Sequence, residues 1–168
     1  MNLLNLKKIG AQMNDSKPAE WIEDQILWLR RKKMCTTPMQ LIKLVYIAHG
    51  WMLGIHGRSL ISEHVEAWKY GPVIPSTYRR YKSFRGSKIT REPIDRTKDF
   101  TEEQSEHIQE VVDAYIEYSG IVLSAITHQE GTPWDVARRK YGDRCTIPNE
   151  DIERYYKKLA DDGFGKSK

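Results

Sequence analysis

The segment that most constrains the fold is VEAWKYGPVIPSTYRRYKSF, residues 65–84, because it combines several restrictions on the backbone. Gly71 can adopt a positive φ, whereas Pro72 and Pro75 each fix φ at about −65° and lack an N–H donor. The residues that precede the two prolines are disfavoured in the helical region. We therefore predict a turn here, preceded by a short strand at 65–70 and followed by a helix that begins at Pro75.

This turn has two possible roles. It either packs two elements together, with Trp68 as a core anchor, or it also presents a rigid, aromatic-rich loop to a partner. The side chains that we expect to contact such a partner are aromatic or basic and lie within or just after the turn: Tyr70, Tyr78, Arg79, Arg80, Tyr81 and Arg85.

Helix signals dominate the rest of the chain, so the predicted fold is mainly α, with about six or seven helices in one compact domain. The clearest signal is Thr37 followed by a proline and Gln40, a capping box that precedes an apolar stripe ending at Gly57. Similar helix starts occur at 101–104 and 132–135. We expect the helix after Thr37 to be the central one.

The length of the chain bounds its domain organisation. With 168 residues, 39% of them apolar, it can form one domain that buries about two thirds of its unfolded surface. We predict this helical domain at 18–161, after an N-terminal extension at 1–17 and before a flexible tail at 162–168. A small two-stranded β element would pair residues 65–70 with residues 88–92.

Composition narrows the possible function classes. No window approaches the roughly 20 apolar residues of a membrane span, and the apolar residues at the N-terminus are too few for a signal peptide, so we expect a cytoplasmic protein. Cys35 and Cys145 have no neighbours at zinc-ligand spacing. We expect two thiols, no metal and no cofactor, although pairing of the two cysteines stays open.

The most basic part of the sequence is the segment 79–98, which begins at Arg79 and ends at Lys98. Only Glu92 and Asp95 oppose its positive charge. Such a segment is usually a solvated loop, but it can also attract an acidic protein surface or a nucleic acid. Binding of RNA or DNA through this segment is therefore an alternative function.

The sequence contains no recognisable catalytic motif of a metalloprotease, serine hydrolase or nucleotide-binding enzyme. Three dispersed residues, His49, Glu66 and His128, are the remaining candidates for acid and base chemistry. If the fold brought them together, they would form either a buried hydrogen-bond network or a hydrolase site. We favour the network, and for His49 a core histidine with satisfied hydrogen bonds.

Three longer motifs carry a family resemblance: TPMQLIKLVYIAHG at 37–50, EAWKYGPVIPSTY at 66–78 and SAITHQEGTPW at 124–134. Together, and in this order, they resemble the Panacea antitoxin domain, a family that includes SocA-like proteins and GepA-type proteins of phages and mobile elements. The resemblance extends over about residues 34–156.

This resemblance implies a mostly helical, non-enzymatic domain that neutralises a toxin by direct binding, with the toxin encoded by a neighbouring gene. It also implies that a SocA-like member can act as an adaptor that delivers the toxin to a ClpXP-type protease. No helix-turn-helix motif accompanies the match, which leaves operator binding unsupported. The residues assigned to the family framework by motif position are Lys43, Tyr46, His49, Glu66, Trp68, Gly71, Pro72, Pro75, Tyr78, Thr127, His128, Pro133 and Trp134.

Overall fold

A computed structural model describes residues 15–32 and 35–165, apart from the side chains of residues 164 and 165. This part of the chain contains seven α-helices: α1 Ala19–Arg30, α2 Pro38–His56, α3 Pro75–Tyr81, α4 Glu102–Ala114, α5 Gly120–Thr127, α6 Pro133–Tyr141 and α7 Asn149–Gly165. It also contains three short strands: β1 Val65–Trp68, β2 Gly71–Val73 and β3 Thr146–Ile147. The predicted mainly α fold is confirmed.

Helix α2 lies at the centre of the fold and packs against α1, α4, α5 and α7. The predicted capping box is present at its start, because the Gln40 N–H donates to Thr37 Oγ1 and the Thr37 N–H donates to Gln40 Oε1. The predicted end is also confirmed, since Gly57 caps the helix with a φ of 62°. Nearly every residue of α2 up to Leu53 is buried, as expected of a helix covered on several sides.

The closest helix contact joins α2 to α7. Side chains at positions 50 and 54 of α2 would overlap Tyr156, so the two glycines allow the ring to lie directly on the helix backbone. Around it, Tyr46 and Trp51 make edge-to-face contacts with Tyr156, with ring centroids 6.1 and 5.1 Å apart. Helix α7 continues to Gly165, four residues past the predicted domain end at 161, and residues 166–168 of the predicted tail lie outside the described residues.

The start of α1 is fixed by residues distant in sequence. The Ala19 N–H donates to both carboxylate oxygens of Glu63, at 3.0 and 2.8 Å, which satisfies a donor that the helix leaves free. Just before it, Lys17 forms a parallel bridge with Ile61. Residues 15–17 of the predicted extension therefore pack against the domain, and residues 1–14 lie outside the described residues.

The three strands form an antiparallel sheet in the order β2-β1-β3. The predicted strand in 65–70 is present as β1, but the predicted partner strand at 88–92 is wrong. There the Ile89 N–H donates to the Thr36 carbonyl, and Arg91 extends toward α1 to pair with Asp24. With these groups engaged, β1 pairs instead with the adjacent β2 and with β3 from the far end of the chain.

Candidate partner-binding groove

An open groove of about 590 Å³ lies where the β1–β2 hairpin meets the starts of α2 and α3. We call it the aromatic-basic groove. Its lining residues are Pro38, Met39, Ile42 and Lys43 of α2, Trp68, Lys69, Tyr70 and Val73 of the hairpin, Tyr78, Lys82 and Arg85 from α3 and the turn after it, and Asp143 and Arg144.

One wall of the groove is built from stacked aromatic and basic groups. The rings of Trp68 and Tyr78 meet edge to face with their centroids 4.9 Å apart, and the Arg144 guanidinium lies 4.7 Å from the Trp68 ring centroid. Trp134 of α6 holds this wall from behind, because its indole N–H donates to the Trp68 carbonyl at 2.6 Å. Trp68 is therefore a half-buried wall residue of the groove, and its role as an anchor of the fold stays a prediction.

Tyr70 stands at the tip of the hairpin with 62% of its surface exposed. Its position is nevertheless fixed, since the Ser124 hydroxyl donates to the Tyr70 carbonyl at 2.8 Å. The adjacent turn depends on Gly71, whose φ of 109° is unfavourable for residues with a side chain. A rigid backbone thus presents an exposed aromatic ring, which is a typical feature of a binding surface.

Lys43 lies at the floor of the groove and is only 2% exposed. Its ammonium donates to the Pro72 carbonyl at 2.8 Å. A Cβ at position 71 would lie 2.7 Å from Lys43 Nζ, so the ammonium fits against the bare backbone of that glycine. Burial lowers the pKa of Lys43 to about 7.

Basic side chains outnumber acidic ones around the groove. Four exposed cations line it, namely Lys69, Lys82, Arg85 and Arg144, against the carboxylate of Asp143. That carboxylate is already paired with Arg138, at 2.9 Å. The groove consequently favours an anionic ligand.

Exposed apolar residues continue from one edge of the groove. Met39 of the groove is 38% exposed and contacts Gly120 at the start of α5. The next two residues, Ile121 and Val122, are 77% and 41% exposed, and Tyr118 just before the helix is 41% exposed. An apolar area beside a groove with charged edges resembles a protein-binding surface, where an apolar centre is surrounded by polar groups.

Of the six residues that we predicted to contact a partner, four are exposed at the surface and two are engaged within the fold. Tyr70, Tyr78 and Arg85 line the groove, and Arg79 is exposed outside it. The predicted surface position of Tyr81 is wrong, because its side chain is fully buried and its hydroxyl accepts a hydrogen bond from Arg91 at 2.8 Å.

Arg80 is also occupied within the fold, in a cluster of buried charges. Its guanidinium donates to both oxygens of Glu23 in α1, at 2.8 and 2.7 Å, and the Thr77 hydroxyl donates to the same carboxylate at 2.5 Å. Glu23 is fully buried. Burial raises the pKa of this carboxyl, while Thr77 and Arg80 oppose that effect.

The neighbouring carboxylate of Asp24, also fully buried, pairs with Arg91 at 2.8 Å and Arg96 at 3.3 Å. Three arginines of the basic segment 79–98 are thus paired with two acids of α1. A nucleic acid would have to compete with these ion pairs, so the structure weakens the case for RNA or DNA binding through the whole segment.

The three candidates for acid and base chemistry have separate partners. His49 Nδ1 accepts from the Leu60 N–H at 3.3 Å, which leaves Nε2–H to donate to Asn149 Oδ1 at 3.0 Å. Burial lowers the pKa of His49 to about 4. The structure therefore places His49 as a neutral core histidine that fixes the loop at Leu60.

Glu66 and His128 lie elsewhere. Glu66 accepts from the Trp68 indole N–H at 2.7 Å and pairs with His64; partial burial alone would raise the pKa of Glu66, but these hydrogen bonds lower it below its usual range. His128 bonds to the Ser124 carbonyl and packs against Trp134. Among the described residues, no hydrogen bond or ion pair joins any two of the three candidates, so the predicted network is not formed and the hydrolase alternative gains no support from this arrangement.

The remaining framework residues lie in the core or behind the groove. Tyr46 is buried against α7, while Pro72 and Pro75 bracket the buried end of the hairpin. The Thr127 hydroxyl donates to the Leu123 carbonyl at 2.9 Å, and Pro133 begins α6. The predicted roles of these residues in folding stay predictions, and their burial is consistent with such roles.

Sequence reasoning missed several groove residues. Met39 lies one helical turn before Lys43, and Lys82 lies one helical turn after Tyr78, so helical spacing from these two predicted residues could have suggested them. Arg144 had no such signal, because its position depends on the hydrogen bond of its N–H to the Ala67 carbonyl, at 2.8 Å, next to the short strand β3.

Within residues 15–32 and 35–165, no helix has the length and apolar character required to span a membrane. The same residues contain no group of three or more His, Cys, Asp or Glu side chains placed to hold a metal ion.

Comparison with known proteins identifies relatives of the groove-forming region. The family model described as antitoxin SocA-like, Panacea domain, matches residues 41–135. A curated protein, Antitoxin SocA of Caulobacter vibrioides (strain NA1000 / CB15N), is 34% identical over 110 residues, which cover 58% of this chain and 57% of the relative. The chain thus spans little more than half the length of that relative. No solved structure matches the chain.

Proposed function

Because this chain belongs to the SocA-like antitoxin family with a Panacea domain, we propose that it is an antitoxin that neutralises a protein toxin by binding it directly in the aromatic-basic groove. The toxin is the product of a neighbouring gene. The role requires no turnover, and we propose that the protein is not an enzyme.

The observation that supports this proposal most is the position of the groove. Its floor at Ile42 and Lys43 and its aromatic walls at Trp68, Tyr70 and Tyr78 all lie within the residues matched by the family model. Tyrosine and tryptophan are enriched at the energetically important centres of protein interfaces. The groove therefore combines a family-matched position with the side chains that a protein partner requires.

The first experiment co-expresses the chain with the neighbouring gene's product. We expect that product to inhibit growth when expressed alone, and this chain to restore growth and to co-elute with it in gel filtration. A product that is harmless alone, or that stays toxic beside this protein without forming a complex, would contradict the proposal.

A pair of tyrosine variants tests whether the groove is the binding surface. Tyr70, at the hairpin tip, and Tyr141, at the end of α6, have similar exposures of 62% and 58%, but only Tyr70 belongs to the groove. We expect Tyr70→Ala to weaken toxin binding by about tenfold or more, and Tyr141→Ala to leave it within about twofold. Equal effects of the two substitutions would place the binding surface elsewhere.

The same cells separate direct inhibition from delivery to a protease. If binding alone neutralises the toxin, its amount should persist after protein synthesis is stopped while growth remains protected. If the chain acts as a ClpXP-type adaptor, the toxin should disappear in its presence and persist in cells that lack the protease. We propose direct inhibition, and rapid protease-dependent loss of the toxin would replace it with the adaptor mechanism.

A further inference from the structure

Lys43 is a buried basic residue for which the part of the chain that the structure describes supplies no anion. Among the described residues, no carboxylate lies within ion-pair distance of its ammonium, whose one hydrogen bond is to the neutral Pro72 carbonyl. An isolated ammonium that is removed from water is unfavourable unless it is paired. This cost is visible in the pKa of Lys43, which burial lowers to about 7 with no opposing charge.

Lys43 is one of the residues that line an open groove of about 590 Å³, through which a foreign anion would approach it. The four exposed cations at the groove, Lys69, Lys82, Arg85 and Arg144, attract negative charge toward it, and the one acidic residue of the lining is paired with Arg138.

The remaining lining restricts what kind of anion fits. Pro38, Met39, Ile42 and Val73 offer apolar contacts, and the Trp68 and Tyr78 rings offer flat aromatic surfaces. A densely hydrated phosphate backbone would leave these apolar groups without partners. A carboxylate carried on a peptide with apolar or aromatic neighbours would satisfy both the lysine and the walls.

We propose that the aromatic-basic groove receives an acidic segment of the toxin, in which one carboxylate pairs with Lys43 and the flanking apolar residues pack against Met39, Trp68 and Tyr78. This inference rests on the proposed antitoxin function and adds the chemistry of the partner. Lys43 then determines specificity, since a partner without the carboxylate would leave its ammonium buried and unpaired.

The test uses the full chain and the neighbouring gene's product as the probe. Binding is measured by titration calorimetry for wild type, for Lys43→Met, and for the control Lys157→Met at an exposed position of α7. Removal of one partner from a desolvated charge pair should weaken binding by roughly 30-fold or more, and the control should stay within about twofold. A loss of less than about tenfold with Lys43→Met would overturn the inference.

A second measurement on the wild-type complex does not depend on the folding of a variant. A carbodiimide joins a lysine amine directly to a carboxylate that it contacts, and mass spectrometry of the digested complex identifies the joined residues. We expect a link between Lys43 and a carboxylate of the toxin. A complex in which the exposed lysines Lys69 and Lys82 are linked and Lys43 is not would overturn the inference.

The outcomes distinguish the two levels of the proposal. A protective complex that retains its affinity with Lys43→Met keeps the antitoxin function and rejects the role of Lys43. A single-stranded RNA or DNA that binds the groove more tightly than the toxin, with a steep dependence on salt, would reject the peptide ligand. If no complex with the toxin forms, the proposed function fails, and the inference fails with it.

Discussion

Two sites in this molecule bury charge, and they differ in whether the fold supplies the opposite charge. At the first, the carboxylates of Glu23 and Asp24 in α1 are fully buried and are met by Arg80 and other arginines of the segment 79–98. At the second, Lys43 of α2 is also withdrawn from water, but within residues 15–32 and 35–165 its one hydrogen-bond partner is the Pro72 carbonyl.

This difference separates charges that maintain the fold from charges available to a partner. The ion pairs at Glu23 and Asp24 are complete before any other molecule arrives, and they join α1 to the segment that follows α3. The site at Lys43 is complete only when an anion is added. The distribution of basic residues along the sequence did not reveal this distinction, whereas the burial of Glu23 and Asp24 in the structure did.

The largest effect is expected at the paired site. Replacing Arg80 with methionine leaves the buried Glu23 carboxylate with only the Thr77 hydroxyl, so we expect the free energy of unfolding to fall by about 3 kcal/mol. The adjacent Arg79 is exposed, and Arg79→Met should change it by less than about 0.5 kcal/mol. Urea unfolding of both variants measures the difference, and equal stabilities would remove the distinction between the two sites.

The second effect concerns pH at the unpaired site. Because the folded pKa of Lys43, about 7, lies below the usual value of 10.5, the folded protein binds fewer protons than the unfolded chain between these pH values. Stability should therefore rise with pH in this window, by about 2 kcal/mol from pH 7 to pH 9. Lys43→Met should lack this rise and Lys157→Met should keep it; identical pH profiles of all three proteins would contradict a lowered pKa of Lys43.

The third effect concerns His49, a buried titratable residue whose two ring nitrogens both have hydrogen-bond partners in the fold. The pKa of His49 is lowered to about 4, so between pH 6.5 and 4 the folded protein binds fewer protons than the unfolded chain and loses stability as the pH falls. We expect a loss of about 1 to 2 kcal/mol from pH 7 to pH 5 that His49→Gln does not show. The exposed His64 provides the control, since His64→Gln should retain the acid sensitivity.

The smallest effect is expected at the wall of the groove. Trp134→Phe keeps an aromatic ring but removes the hydrogen bond to the Trp68 carbonyl, which should lower stability by about 1 kcal/mol. Because this bond holds the Trp68 wall in place, toxin affinity should also fall, whereas Trp28→Phe in α1 should leave affinity unchanged. A Trp134→Phe variant with full affinity would show that the wall needs no such support.

Much of the fold followed from local signals in the sequence. The capping boxes at Thr37 and Thr101, the stop at Gly57 and the strand before Gly71 each depend on a few adjacent residues, and all are present. The site was predicted less well. On α3, Tyr78 and Tyr81 lie one turn apart and have the same chemistry, yet only Tyr78 reaches the groove.

The reasons for these misses are long-range. Tyr81 points into the core, where Arg91, ten residues later, donates a hydrogen bond to its hydroxyl. Arg144 enters the groove because a short strand from the other end of the chain pairs with β1. Neither contact has a local pattern in the sequence.

The contact between α2 and α7 sets the shortest length at which this protein can be produced or fused to another. The family match ends at residue 135, but the ring that covers Gly50 and Gly54 comes from Tyr156. A chain trimmed to the matched residues would leave the middle of the central helix in water and lose the Asn149 partner of His49. Any shortened version should therefore retain α7, and an added tag or fusion partner is best attached beyond Gly165.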